Sequence, residues 1–235
     1  MPKEKSFDLG ILYDTAVAPQ LYPKAVVLDR KDLKTVMQAL IADLLQPISG
    51  SAMRELTSFR DDELKFYLKG FYNEILFDRG AELIACEVKP GKWEVIEYPS
   101  DLLNIAEKYY GGVRKFFEFF VRGIKDKSAY KRVDLYDLPI VSVCFYRTFE
   151  YIRASLAYYL LGQEGNLERH VVRFFNEYVR EGKVNGMLCE IERDEYVLIK
   201  TAKEFVDLLK KLYGSLEEFA EEEAPNFLIL YRNMG

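Results

Sequence analysis

Histidine, cysteine and long apolar runs are scarce in this chain of 235 residues, which has 1 His and 3 Cys. No apolar run approaches the ~18 residues that a helix needs to cross a bilayer. Cys86, Cys144 and Cys189 lie far apart and form no CxxC pair, which excludes a disulfide framework and a zinc knuckle. The first residues, Met1 to Phe7, lack the apolar region of a signal peptide. These absences predict a protein of the reducing cytoplasm that does not enter a membrane.

The known motifs of catalysis and cofactor binding are also missing. The chain contains no GxxxxGK[ST], GxGxxG, GxSxG or HExxH pattern, each of which places a phosphate, a nucleotide, a nucleophile or zinc at a defined strand or helix end. We therefore expect no cofactor, no metal ion and no catalytic residue. Gln and Asn are also few, 4 and 7 respectively, a bias reported for proteins from hot environments, so a thermophilic source is predicted.

The residues that are abundant favour a folded protein with a real core. Hydrophobic residues make up 49% of the chain, charged residues 30%, and the formal net charge is −5. This composition excludes disordered and collagen-like classes. The length allows one large domain or two modules of about a hundred residues.

The chain is similar to itself when it is shifted by 103 positions. The shift aligns 71–116 with 174–219 without a gap, and 10 of the 46 aligned pairs are identical, whereas composition alone gives roughly three. The identical pairs include Cys86/Cys189, Glu87/Glu190 and Gly111/Gly214. We interpret this similarity as an internal duplication.

Each copy is predicted to contain a helix, a hairpin and a second helix. In the first copy an apolar stripe at helical spacing predicts the first helix, alternation on either side of Pro90-Gly91 predicts the hairpin, and Gly111 closes the second helix. Further helices are predicted at Lys31–Leu45 and Ala52–Phe59, and one long helix from Pro139 to Leu161. Strands are predicted at Phe7–Tyr13, Ala25–Leu28 and Phe227–Tyr231.

The predicted fold class is α+β, with an internal duplication of a helix-helix-helix-hairpin-helix module. The predicted boundaries are a strand-containing extension at 1–30, a first module at 31–120, a basic linker at 121–134, a second module at 135–224 and a C-terminal strand at 225–235.

Three helices followed by a hairpin resemble a winged helix. The stretch Arg180-Glu181-Gly182-Lys183-Val184-Asn185-Gly186 is similar to the helix-to-wing transition of that fold. Two such units in one chain resemble the kleisin-interacting tandem winged-helix subunits of condensin-type chromosome complexes. The resemblance implies an interaction subunit that is associated with chromosomes or nucleic acid, although the second copy shows no break between its first two helices and no diagnostic motif is present.

The candidates for catalysis are isolated residues. His170 has no second histidine or cysteine near it in sequence, and Cys86 and Cys189 fall on the apolar alternation of strands, so packing explains them. Acid/base or metal-binding carboxylates are one interpretation of the repeated pairs Asn73-Glu74 and Asn176-Glu177 and of the repeated Glu87 and Glu190. Solvation of a helix surface or an ion pair explains each of them singly. A hydrolase with an unrecognised site is the second alternative function.

Nucleic-acid binding is the first alternative function. The third helix of the first copy, 61–79, has a net charge of −2, and that of the second copy, 166–183, has +1, so neither is a strongly phosphate-facing helix. The candidate contacts are the cations of the basic linker, for which a solvated linker is the simpler interpretation: Lys125, Lys127, Lys131 and Arg132.

The preferred function is a non-enzymatic interaction adaptor, or a subunit of a larger intracellular complex. The chain carries 17 Tyr and 16 Phe, more than a core of this size requires, and surplus aromatic side chains are typical of interfaces. We expect a protein partner or self-association, weak binding of nucleic acid at most, and no membrane association.

Overall fold

The computed structural model describes residues 22–45, 52–77, 79–122, 124 and 135–232. Helices and strands are mixed along the chain, which confirms the α+β class. The chain divides into two compact units. The first unit is Lys24–Ile140, and the second contains Val141 onward together with Tyr22 and Pro23.

The first unit begins with a strand and contains a hairpin between helices. Its elements are β1 (Lys24–Leu28), α1 (Arg30–Leu44), α2 (Ala52–Leu56), α3 (Asp61–Phe77), β2 (Leu83–Lys89), β3 (Lys92–Ile96), α4 (Pro99–Ile105) with a following π-helix (Ala106–Tyr110), and α5 (Val113–Val121).

The strands of the first unit pair in the order β3-β2-β1. β1 runs parallel to β2, with Leu28 opposite Cys86, and β2 and β3 form the predicted antiparallel hairpin. Residues 25–28 are all buried, as expected for a parallel strand that is covered on both faces. β1 leads directly into α1, whose first turn is capped by the Asp29 carboxylate through the backbone N–H groups of Lys31 and Asp32.

The second unit has the same order without the short helix. Its elements are β4 (Ile140–Cys144), α6 (Tyr146–Leu160), α7 (Leu167–Gly182), β5 (Met187–Glu192), β6 (Glu195–Ile199), α8 (Ala202–Tyr213) and α9 (Leu216–Arg232). β4 runs parallel to β5, with Cys144 opposite Cys189, and β5 pairs antiparallel with β6.

The two units share an order of helices and strands at nearly constant offsets in sequence. From α3 to α5 the offset to the second unit is 103 residues, and over β1 and α1 it is 116 residues, because the second unit lacks the segment that contains α2. Cys86 and Cys189 are buried at equivalent strand positions, as predicted. Gly111 and Gly214 follow equivalent helices with φ of 79° and 89°, conformations in which glycine is favoured.

The predicted helix from Pro139 to Leu161 is wrong in its first part. Residues 140–144 form β4, and α6 begins only at Tyr146. The segment Ile-Val-Ser-Val-Cys is rich in β-branched residues and buried along most of its length, so it has no alternation to distinguish it from a buried helix. Residues 24–30, predicted as part of an extension, similarly belong to the first unit as β1 and the start of α1.

The predicted C-terminal strand at Phe227–Tyr231 is also wrong, because these residues continue α9. Leu216, Phe219, Ala220 and Ala224 are buried in the core of the second unit, with Phe227 packed against it, and this spacing is helical. The predicted strand at Phe7–Tyr13 and nearly all of the predicted linker lie outside the described residues. Within the described ranges, none of the helices combines the length and apolarity of a bilayer span.

Candidate functional site

A half-open cavity of about 640 Å³ lies in the first unit. Its walls come from the start of α1, the end of β2, the π-helix and α5. Cavities of roughly 300–1,000 Å³ are typical of ligand sites. We call this cavity and its lining residues the basic pocket.

The basic pocket concentrates positive charge in an acidic protein. Its lining contains five cations and two carboxylates, Glu87 and Glu118, a difference of +3. Among the residues that the structure describes, none of the five cations forms an ion pair. They are Arg30, Lys34, Lys89, Lys115 and Arg122.

Aromatic side chains form the apolar part of the same lining. The Tyr110 ring lies 5.2 Å from the Phe119 ring and 5.7 Å from the Phe120 ring, measured between centroids. Phe120 is buried, whereas Phe119 is 55% exposed. Phe119 therefore presents part of its ring to solvent from a firm aromatic support.

The π-helix places two consecutive tyrosines, Tyr109 and Tyr110, in the lining. The equivalent segment of the second unit is an ordinary α-helix up to Tyr213. A π turn widens the helix by one residue and is frequent at functional sites. In this unit it brings both rings to one cavity.

The tyrosines of the basic pocket stay protonated. Burial raises the pKa of Tyr110 to about 12, with a further contribution from Cys86, and the charge of Arg30 only partly opposes this. Burial and the hydrogen bond to Glu94 raise the pKa of Tyr109. Lys89 Nζ lies 5.6 Å from the centre of the Tyr109 ring, a cation–π contact. Neither phenol is suited to act as a base near neutral pH.

Glu87, which lines the basic pocket, accepts hydrogen bonds from two backbone N–H groups. Its carboxylate accepts hydrogen bonds from the N–H of Arg30 at 3.3 Å and the N–H of Gly91 at 2.8 Å. Because one N–H starts α1 and the other lies in the hairpin turn, the carboxylate ties the helix to the hairpin. We call this arrangement the glutamate clamp.

The second unit repeats the glutamate clamp. Glu190 accepts from the N–H of Tyr146 at 2.8 Å and from the N–H of Asp194 at 3.0 Å. The identical glutamates in the sequence are therefore explained by backbone hydrogen bonds. The acid/base, metal and ion-pair interpretations are not needed.

The lining of the basic pocket as a whole has a different charge at the corresponding positions of the second unit. None of the 13 lining positions corresponds to a Lys or Arg at the 103- or 116-residue offset, and seven correspond to Glu, including the counterparts of Glu87 and Glu118. These seven are Glu150, Glu190, Glu192, Glu218, Glu221, Glu222 and Glu223.

A charged network occupies the second unit where the first has apolar residues. Arg153 corresponds to Met37, and Glu223 to Phe120. Arg153 Nη1 lies 3.8 Å from Glu223 Oε1 and donates to the Tyr213 hydroxyl at 2.7 Å, while Tyr213 donates to Glu223. Both charged side chains are nearly buried, so each depends on the other.

The structure does not bring the sequence-predicted candidates together. Lys125, Lys127, Lys131 and Arg132 lie outside the described residues. His170 is half-buried on α7, with its Nδ1 3.1 Å from the Tyr159 hydroxyl. Burial raises the pKa of Cys86 to about 12 and also raises that of Cys189, so both thiols stay protonated. Asn73, Glu74 and Asn176 are exposed, and Glu177 forms an ion pair with Arg173 at 3.0 Å.

The sequence did contain a signal for the basic pocket. On α5, Lys115, Phe119 and Arg122 follow one another at i, i+4 and i+7, which puts two cations and an aromatic ring on one face. Comparing the charges of the two copies beyond the aligned block would have shown the reversal.

Comparison with known proteins gives no match to a family model, a curated protein or a solved structure.

In the described part of the chain, His, Cys, Asp and Glu form no group of three or more that could hold a metal ion.

Proposed function

We propose that this protein is a cytoplasmic, non-enzymatic binding protein that works within a larger complex, and that its basic pocket holds a phosphate-bearing ligand. The observation that carries the proposal is the cluster of five cations without ion pairs among the described residues, around an aromatic-lined cavity.

Electrostatics supports an anionic ligand. A concave site with an excess of one charge sign, here +3, concentrates its field and raises the local concentration of counter-ions. Two of the cations, Arg30 and Arg122, carry guanidinium groups, which suit phosphate because they donate in a fixed planar fork. The carboxylate of Glu87 is engaged in the glutamate clamp, so it is held away from a role as a second anion that would compete with the ligand for the cations.

We further propose that the units arose by duplication of one module and then diverged in charge. The glutamate clamp supports this, as does a second shared arrangement at the start of α4 and α8. Asp101 accepts from the N–H of Tyr98 at 2.8 Å, and Glu204, 103 positions later, accepts from the N–H of Thr201 at 3.0 Å. The winged-helix resemblance stays a prediction.

A second candidate function, docking of a protein partner, is favoured by the outer face of α3. Phe66 is 74% exposed and Phe77 is 88% exposed, and their 11-residue spacing puts them on one side of the helix. Large exposed aromatic side chains are typical anchors of interfaces.

The test of the basic pocket uses inorganic polyphosphate, titrated into the full chain by calorimetry at low salt. The variant Lys34→Glu/Lys115→Glu reverses two pocket charges, and the control Lys69→Glu/Lys203→Glu reverses two exposed charges outside the pocket. Both variants carry the same net charge, so a difference between them reports where the reversed charges lie. We expect the pocket variant to weaken binding at least tenfold more than the control, because only its charges line the basic pocket. Equal loss in the two variants, or no binding by the wild type, would refute the proposal.

A further inference from the structure

Two helix faces border the basic pocket with repeated positive charge. Arg30 and Lys34 lie one turn apart on α1, and Lys115, Phe119 and Arg122 share one face of α5. Cations on two separate elements suit several phosphates in a chain better than one terminal phosphate group.

The exposed Phe119 ring, which lies between Lys115 and Arg122 in sequence, can stack with a planar group of a ligand. Its support by Tyr110 and Phe120 fixes the ring, so stacking on it costs little ordering of the side chain. A basic surface that combines cations with an aromatic ring is typical of proteins that hold single-stranded nucleic acid, with bases stacked on rings and phosphates beside the charges.

Other phosphate-bearing ligands fit the basic pocket less well. In a double-stranded nucleic acid the bases stack on one another, so no base face is free to stack on the Phe119 ring. A mononucleotide normally has its phosphates cradled by a glycine-rich loop or by backbone N–H groups at a helix start. At the start of α1 the N–H groups of Arg30, Lys31 and Asp32 already donate to Glu87 and Asp29.

We infer that the ligand of the basic pocket is single-stranded nucleic acid, with one base stacked on Phe119 and the backbone phosphates beside Arg30, Lys34, Lys115 and Arg122. This inference rests on the proposed function, since it specifies the ligand of the same pocket. Its contacts differ from the predicted linker contacts, and the two sets can be separated by mutation.

The experiment is fluorescence anisotropy of the full chain with a labelled RNA strand of about 12 nucleotides, within the range of single-strand site sizes. The matched ligand is an abasic strand of equal length, which keeps the phosphates and lacks the bases. We expect a dissociation constant near 10⁻⁶ M for the RNA, in the range of sequence-independent binding. The abasic strand should bind at least about fivefold more weakly.

The variants separate stacking from charge. Phe119→Ala and Phe119→Leu should weaken RNA binding by roughly 5- to 150-fold and leave abasic binding unchanged. Phe66→Ala, which removes an exposed ring from α3, should change neither. Lys34→Glu/Lys115→Glu should reduce the magnitude of the negative slope of log K against log salt by about 1.4, for two lost phosphate contacts.

Each outcome bears on a different part of the account. Equal binding of the RNA and abasic strands, or no effect of either Phe119 variant, overturns the single-strand inference. If Lys34→Glu/Lys115→Glu still weakens binding much more than the control Lys69→Glu/Lys203→Glu in that case, the proposed function survives. If neither set of variants matters and replacing Lys125, Lys127, Lys131 and Arg132 by Ala abolishes binding, the contact lies in the predicted linker, and both the inference and the proposed pocket are wrong.

Discussion

The two units share a backbone plan and differ in the charge that their equivalent surfaces carry. Around the cavity the first unit has five cations and two carboxylates, while the equivalent positions of the second unit have seven glutamates and no cation. Both units nevertheless keep the glutamate clamp and end equivalent helices at Gly111 and Gly214.

The shared residues of the two units have a structural explanation that the differing cations lack. The shared Glu87 and Glu190 accept hydrogen bonds from backbone N–H groups that would otherwise lack partners. The five cations line the cavity and have no counterpart among the cations of the second unit, because the fold alone does not determine the charge there. Under the proposed function, this difference in charge predicts that an anion binds the first unit and not the second.

The largest effect is expected from exchanging the Arg153 network for its apolar counterpart. Arg153→Met leaves the Glu223 carboxylate nearly buried without its cation, and we expect a loss of about 3 kcal/mol in the free energy of unfolding, as measured by urea denaturation. The double variant Arg153→Met/Glu223→Phe installs the residues of the first unit, Met37 and Phe120, and should recover most of that loss. A double variant that is less stable than the single one would show that the two cores are not equivalent.

The glutamate clamp should contribute more to the free energy of unfolding in the second unit than in the first. Glu190→Ala leaves two backbone N–H groups without an acceptor, at a cost of about 2–3 kcal/mol. Glu190 is buried, while Glu87 is half-buried and its bond to Arg30 is longer, 3.3 Å against 2.8 Å to Tyr146. Glu87→Ala should therefore cost only about 1–2 kcal/mol by the same urea measurement. The reverse order would contradict the assignment of the clamp.

Local patterns were sufficient for much of the fold. The stripe of Leu64, Leu68, Phe71 and Ile75 and the alternation around Pro90-Gly91 predicted α3 and the first hairpin, because amphipathic elements show their period in sequence. β4 was missed because a strand buried on both faces has no period. The end of α9 was missed because its apolar run resembles a strand, while packing against the second core keeps it helical.

The basic pocket could not be predicted from local patterns alone. Its residues come from α1, β2, the π-helix and α5, which meet only in the folded unit. The spacing of Lys115, Phe119 and Arg122 places these three lining residues on one face of a helix. The sequence of that helix does not show which other elements pack around this face.

The hairpin turns offer a smaller contrast. Gly91 and Asp194 occupy equivalent positions with φ of 71° and 59°, a conformation that costs a residue with a side chain about 1 kcal/mol. Gly91→Ala should therefore destabilise the protein by about 1 kcal/mol, while Asp194→Gly should leave it unchanged or slightly more stable. Thermal denaturation of the two variants measures this difference, and destabilisation by Asp194→Gly would show that its side chain has a further role.

The smallest effect concerns His170, whose counterpart in the first unit is Tyr67. Burial first, then the charges of Arg169 and Arg173, lower its pKa below the ordinary 6.5. Below pH 6.5 the imidazole is therefore protonated in the unfolded chain and still neutral in the folded chain. Protonation then stabilises the unfolded state, so the free energy of unfolding decreases as pH falls from 6.5 to the lowered pKa of His170.

His170→Gln should remove that pH dependence and change stability at pH 7.5 by less than about 1 kcal/mol. Urea denaturation of wild type and variant between pH 5 and 7.5 measures both quantities. A wild-type stability that rises relative to the variant as pH falls would show that the charged imidazole is favoured in the folded state.

Hydrogen exchange of the full chain, with and without the single-stranded RNA, tests the central claim most directly, because it reads both units in one sample. We expect slower exchange in residues 30–34 and 113–122, which border the basic pocket, and no change in the equivalent residues 146–150 and 216–225. Protection confined to the second unit, equal protection of both, or none in either would contradict the assignment of the ligand site to the first unit.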